Sequence, residues 1–172
     1  MNAYLIGLLI GDGSRYSSKN GRYMVWLDQN IRNIKILEKA KAILEKLGLN
    51  VFLYSVSNNK KRVLVYSKKL LLYFNKVAEN PANFFISLSE NEKKEFIAGF
   101  LDAEGTVTDR VVIYNSNKEL LEVIKTFLQN NGVSCNIYRF GKIYGIQIYK
   151  KSSILILKKM IRHSVKLSSL SS

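Results

Sequence analysis

A chain of 172 residues is long enough for one domain of ordinary size or two very small ones. Its 47% hydrophobic content excludes a disordered tail protein, and no apolar run reaches the roughly 18 residues of a membrane-spanning helix. Twenty-seven Lys and Arg against thirteen Asp and Glu leave a net charge of +14, which points to a polyanionic partner, nucleic acid before membrane. A single cysteine, Cys135, rules out an intramolecular disulfide, and a single histidine, His163, rules out zinc held by Cys and His. Residues 1–11 are apolar but lack a basic leader and a small-residue cleavage site, so an intracellular location, cytoplasm or organelle matrix, is expected.

In chain order, residues 4–13 (YLIGLLIGDG) read as an apolar helix with a glycine exit. Arg15, Tyr16 and Lys19 follow in a loop. Residues 22–29 alternate as a strand that puts Arg22, Met24, Trp26 and Asp28 on one face. Residues 33–47 carry Ile36, Leu37, Ala40, Ile43, Leu44 and Leu47 at helical spacing, and Gly48 is placed as the C-terminal cap. Strands at 51–57 and 62–67 flank a turn at Ser57-Asn58-Asn59-Lys60, and a helix at 67–79 closes the half. Residues 80–91, with the only proline, Pro81, join this half to a second one that repeats the order. Its motif is 96–105 (FIAGFLDAEG), its first strand about 110–115 and its long helix 117–133. Strands at 135–140 and 143–149 surround Gly141-Lys142, and a helix at 151–161 follows. Gly7 falls on Gly99 and Asp12 on Glu104 without gaps, and the first half has about eight extra residues between motif and long helix. Each half is thus α-β-β-α-β-β-α in an α+β chain. The repeats are bounded at 1–79 and 92–165, and the Ser-rich tail 166–172 is expected to fray.

Gly7 and Gly11 lie on one helix face, as do Gly99 and Ala103, and small residues at that spacing let two backbones approach. A glycine-tolerant core helix explains one copy; two copies, each ending in an acid, predict helices paired at the domain centre. Asp12 and Glu104 then stand at helix C-termini, where the dipole disfavours an anion, and face each other as like charges. A cation relieves both. Carboxylates and the backbone carbonyls of Gly11 and Ala103 are hard oxygen ligands suited to Mg²⁺, which activates water and stabilises the leaving oxygen in phosphodiester hydrolysis. Mg²⁺ or Mn²⁺ is the expected cofactor, and Ca²⁺ is expected to bind without supporting efficient cleavage.

The segments Leu5-Ile6-Gly7-Leu8-Leu9-Ile10-Gly11-Asp12-Gly13 and Ile97-Ala98-Gly99-Phe100-Leu101-Asp102-Ala103-Glu104-Gly105 each resemble the LAGLIDADG motif. Two copies in this order, over nearly the whole chain, are similar to the small single-chain, two-repeat homing endonucleases of archaeal introns. The resemblance implies a saddle of two four-stranded antiparallel sheets astride double-stranded DNA, with the motif helices between the halves. It implies cleavage across the minor groove with four-base 3′ overhangs on a target of roughly twenty base pairs. By position, Asp12 and Glu104 become the metal-binding acids. Asp102 takes a structural position, occupied by Ile10 in the first copy. Gln29 and Asn115 fit the strand-end polar residues that order solvent, with helix capping as the alternative because both precede a helix. A basic residue near the cleaved phosphate is also implied, and Lys60, Lys61, Arg62 and Lys142 are candidates.

Phosphate contacts are expected to supply affinity and base-edge contacts specificity. Beside the strand row Arg22, Met24, Trp26 and Asp28, the first half offers Arg15, Tyr16 and Lys19. The second offers Arg110, Tyr114, Tyr138, Arg139, Lys142, Gln147 and Tyr149. Lys35, Lys39, Lys41 and Lys46, interspersed with Glu38 and Glu45, read as a solvated helix face. The two halves differ in sequence, so a monomer on an asymmetric duplex is expected. An intron RNA-splicing cofactor, a non-catalytic nucleic-acid binder and a basic structural protein are the alternatives; acids kept in both copies argue for catalysis.

Overall fold

A computed structural model describes residues 1–170; Ser171 and Ser172, the last two residues of the expected frayed tail, lie outside the described residues. The first half runs α1 (Ala3–Asp12), β1 (Gly13–Ser17), β2 (Tyr23–Asn30), α2 (Ile34–Lys46), β3 (Val51–Ser57), β4 (Lys60–Tyr66) and α3 (Lys68–Glu79). After α4 (Pro81–Ser87), the second half repeats it with α5 (Glu90–Glu104), β5 (Gly105–Val107), β6 (Val111–Asn115), α6 (Lys118–Asn130), β7 (Asn136–Phe140), β8 (Ile143–Ile148) and α7 (Lys151–Met160). A short α8 (Val165–Ser168) follows. Each half holds one antiparallel sheet, in the orders β1-β2-β4-β3 and β5-β6-β8-β7. The α+β fold and the repeat order expected from the sequence are those found.

Glycine decides how closely the halves meet. A Cβ built on Gly7 would stand 2.1 Å from the carbonyl oxygen of Phe96, and one on Gly99 would stand 1.9 Å from that of Tyr4. Both obstacles are backbone atoms that cannot swing aside, so α1 and α5 cross at a separation only glycine permits. Around this crossing Leu5, Ile6, Leu8, Ile97, Phe100 and Leu101 are fully buried, and one continuous core runs through both halves. Each sheet lays one face on its helices. Val25, Leu27, Val63 and Val65 are buried in the first, and Val111, Ile113, Ile146 and Ile148 in the second.

Several expectations are corrected. The segment at 13–19 is a hairpin arm rather than a loop: Gly13–Ser17 pairs with Tyr23–Leu27, and the extra residues of the first half lengthen this hairpin. The joining segment 80–91 is largely helical. Pro81 occupies the first turn of α4, where its fixed φ costs nothing, and Phe85 is buried against Phe96 and Phe127 at ring separations of 5.5 and 5.9 Å. The capping box of Ser89 and Glu92 then starts α5 six residues ahead of the apolar motif. Leu47 caps α2 and is exposed, while Gly48, at φ +76°, ends that helix as expected. Lys39 leaves the solvated row: its ammonium sits 3.5 Å from the centre of the Tyr4 ring and donates to the carbonyl of His163.

Residues 164–167, where the expected frayed tail begins, are also tied down. Asp102, with no solvent exposure, accepts four hydrogen bonds: from the Tyr4 hydroxyl (2.7 Å), the Ser164 hydroxyl (2.7 Å) and the backbone amides of Val165 (2.8 Å) and Lys166 (3.0 Å). Leu167 is buried beside them. A carboxylate so fully satisfied tolerates burial and fixes the segment 164–166 that crosses it.

Candidate active site

Each motif helix ends on its acid, and the chain turns at once into an extended strand through Gly13 or Gly105, neither of which needs a positive φ. The two ends adjoin: a Cβ on Gly11 would meet the Cβ of Ala103 at 2.4 Å and the Cγ of Glu104 at 2.9 Å. The strands after the motifs then bring up one amide each. Gln29, at the end of β2 and 7% exposed, donates through Nε2 to Asp12 and accepts from Asn33 Nδ2 at 3.3 Å. Asn115, at the end of β6, donates to Glu104 at 3.1 Å, and its oxygen accepts from the amide of Asn117 at 2.8 Å. Side-chain capping of the following helical turns falls instead to Asn30 and Asn117. Gln29 is therefore on the acid, while Asn115 both meets the acid and braces a turn.

Charge at this point is poorly relieved. Burial, and then the neighbouring Asp12 charge, push Glu104 up to about 7, against the opposing pull of Asn115 and Lys166. Burial likewise raises Asp12, with Lys166, Gln29 and Lys60 pulling it down and Asp28 raising it further. Among the described residues no three His, Cys, Asp or Glu side chains gather into a metal cage. Two carboxylates beside the helix-end carbonyls of Gly11 and Ala103 fit an oxygen-loving divalent ion that takes its remaining ligands from water and phosphate. Such a donor set suits neither zinc nor a soft metal.

The raised acid has a measurable consequence. Between its ordinary 4.5 and about 7, Glu104 is protonated in the fold and ionised in the unfolded chain. Folding then takes up a proton, so this contribution to stability is fully present below 4.5 and lost as pH rises through about 7. The metal-free protein is expected to melt lower at pH 8 than at pH 5, and a divalent ion is expected to raise the melting temperature more at pH 8. Thermal melts with and without EDTA check both signs.

The remaining sequence candidates divide by strand face. Met24, Trp26 and Asp28 share the open face of the first sheet with Tyr16, Arg62 and Lys60, while Arg22 lies in the turn just before β2. Asp28 and Arg62 form a two-point ion pair at 2.6 and 2.7 Å, and the Arg62 guanidinium stands 5.1 Å from the Trp26 ring. These three residues are thus one cluster in the free protein rather than separate readers. Arg15 turns to the other face, 4.4 Å from the Phe74 ring, and Lys19 is exposed at the hairpin tip. Lys61 lies opposite Gln29 on the helix-facing side. Of the four basic candidates for the cleaved phosphate, Lys60 is the one whose charge acts on Asp12.

In the second half, Tyr114, Tyr138 and Gln147 share the open face, and Tyr114 packs edge-on against Phe140 at 5.4 Å. Tyr149 is exposed just past β8. Arg139 points to the other face and donates to the Gly141 carbonyl; Arg110 and Lys142 are exposed in turns, Arg110 beside Asp109 at 3.5 Å. Sequence reasoning missed three exposed aromatics on the first open face, Phe52, Tyr54 and Tyr66. The alternation of VFLYSVS was the signal that could have found the first two.

It also missed Lys166. Its ammonium donates to the carbonyls of Gly105 (2.7 Å) and Ala103 (3.3 Å), on either side of Glu104. Burial lowers its pKa while Asp102, Asp12 and Glu104 hold it up.

Twin acid-tipped helices crossed through glycine, each backed by an open antiparallel sheet and a strand-end amide, define a single-chain protein of two LAGLIDADG repeats. The chain belongs to the LAGLIDADG family: its sequence matches the LAGLIDADG-like domain over residues 1–78 and 91–162. It is 31% identical over 157 residues to the homing endonuclease I-DmoI of Desulfurococcus mucosus, covering 86% of this chain and 79% of that protein. An uncharacterised protein of Methanocaldococcus jannaschii is 27% identical over 150 residues, and the chain spans 56% of its length. Among solved structures, I-DmoI in complex with DNA and Mn superposes with a TM-score of 0.74 at 27% identity, covering 93% of this chain and 95% of that one. The N-terminal LAGLIDADG domain of DUF199/WhiA shares the fold at a TM-score of 0.69 and 12% identity, covering 98% of this chain and 85% of that one.

Proposed function

We propose that this chain is a site-specific double-strand DNA endonuclease of the homing type, working as a monomer with Mg²⁺ or Mn²⁺ on a long, asymmetric target. The observation that carries it is the meeting of Asp12 and Glu104 at adjoining helix ends, each held by one strand-end amide. The likeness to I-DmoI, whose structures include complexes with target DNA and Mn, supports the same reading. A net charge of +14 supplies the phosphate affinity.

In this reading Asp12 and Glu104 hold the ions, with the Gly11 and Ala103 carbonyls as further ligands. A bound divalent ion there supplies an activated water and a stabilised leaving oxygen. Gln29 and Asn115 fix the carboxylates and order solvent against them. The open sheet faces carry the residues for contact with the duplex: Tyr16, Met24, Trp26, Asp28, Lys60 and Arg62 in one half, and Tyr114, Tyr138 and Gln147 in the other. Arg15, Lys61 and Arg139, on the helix-facing sides, are left to flank the duplex at phosphates. The acids, one per half, cut one strand each across the minor groove, leaving four-base 3′ overhangs.

Incubating the protein with a randomised duplex library, with Mg²⁺ or with EDTA, and sequencing the ends tests this. Ends that require Mg²⁺ and carry a constant four-base 3′ overhang at one long site are the expected result. Tight duplex or intron-RNA binding without any cleavage would replace the endonuclease by a splicing cofactor or a simple binder.

A further inference from the structure

The two halves are unequal at their centre because only one motif carries a fully buried acid in its last turn, Asp102. Asp102 anchors residues 164–166, whereas the same position of α1 is Ile10, packed against the core. Asp102 therefore brings a lysine to the end of α5, and α1 has no equivalent. The Lys166 ammonium bridges the carbonyls of Ala103 and Gly105, while among the described residues no side chain donates to the carbonyl of Gly11. Its backbone amide is itself held by Asp102, so only the side chain can give way.

We propose that Lys166 is a tethered counter-cation of the acid pair, a positioning residue that weakens metal binding at one half-site, the one that uses the Ala103 carbonyl. The inference rests on the metal-binding reading of Asp12 and Glu104. Before metal arrives, the ammonium occupies a carbonyl oxygen the ion needs and offsets like charge between the carboxylates. The charge reaches both acids, but only on the Ala103 side would a bound divalent ion have to share its carbonyl oxygen with the ammonium. A Coulomb repulsion of this kind, at a half-buried point of intermediate dielectric, changes affinity by about tenfold or more. The half-site that uses the Gly11 carbonyl, without a lysine on that oxygen, would fill first.

The test is a calorimetric Mn²⁺ titration of the whole chain, alone and on duplex DNA, for wild type, K166M, K166R and E104Q. Met keeps the stem of the side chain and leaves the backbone bonds to Asp102 in place. K166M is expected to tighten the weaker Mn²⁺ site about tenfold and the stronger one less than about threefold. K166R, which keeps the charge, is expected to follow wild type. K166M titrating like wild type while melting lower would reduce Lys166 to a structural clamp and overturn the proposal. E104Q binding Mn²⁺ as wild type does would remove the acid pair as a metal site, and the role of Lys166 with it.

Discussion

Replacing Glu104 with Gln, or Asp12 with Asn, is expected to lower the rate of double-strand cleavage at least about a thousandfold, a loss of roughly 4 kcal/mol of transition-state stabilisation. Both changes keep the size of the side chain and an oxygen that the neighbouring amide can reach, so the contacts of Gln29 and Asn115 survive. What disappears is the charge that holds the ion. DNA binding is expected to stay within a fewfold of wild type, because affinity comes from the net charge of +14 and removing an anion cannot weaken attraction for phosphate. A merely structural carboxylate behaves differently: its loss lowers the melting temperature and weakens binding together. Here the metal-free E104Q protein is expected to melt no lower than wild type at pH 8, since the substitution removes a charge whose burial, and then its repulsion by Asp12, push Glu104 up to about 7. Wild-type cleavage by either variant, in a time course on the selected target, would remove the acid pair from the chemistry.

The second large effect lies at the helix crossing. Gly99→Ala places a methyl carbon 1.9 Å from the Tyr4 carbonyl oxygen, and Gly7→Ala one 2.1 Å from that of Phe96. Neither obstacle is a flexible side chain, so the helices must separate along their whole contact, and the acids at their ends move with them. Each change is expected to cost about 3 kcal/mol, the upper end of overpacking penalties. For a chain of this size that lowers the melting temperature by roughly 6–12 °C. Cleavage is expected to fall further than the folded fraction does, because the spacing of Asp12 and Glu104 depends on the crossing. A control substitution at Gly21, exposed in the hairpin turn at φ +80°, is strained by its own backbone but leaves the crossing untouched. Calorimetric melts and cleavage rates, compared for Gly99→Ala and Gly21→Ala, separate lost stability from a displaced site.

The sequence was most readable where one residue type alone can satisfy the geometry. Gly7 and Gly99, four residues before Gly11 and Ala103, announced a close crossing, and the acids at the helix ends followed from the same two segments. Gln29 and Asn115 were singled out by the family resemblance, which puts a polar residue at the end of each of these strands, and both meet an acid. What stayed hidden depended on partners distant in the chain. The arm 13–17 has no apolar alternation to betray a strand; it is extended because β2 pairs with it. Asp28 and Arg62, read as independent contacts, neutralise each other across 34 positions. Lys166 sat in a Ser-rich stretch whose composition reads as disorder, and only the buried carboxylate of Asp102, more than sixty positions earlier, turns that stretch into a fixed arm over the site. Arg15 and Arg139 illustrate a simpler failure: alternation tells which residues share a face, and these two fall on the face opposite Tyr16 and Tyr138.

The most direct test is to locate the ion itself. Crystals of the protein on its selected duplex, grown with Mn²⁺, allow anomalous scattering to place manganese without reference to any assumed site. Anomalous peaks are expected between the two helix ends, within ligand distance of the Asp12 and Glu104 carboxylates and of phosphate oxygens on opposite strands. Well-ordered DNA across both sheets with manganese elsewhere, or with none at the helix ends, would contradict a metal-binding role for Asp12 and Glu104.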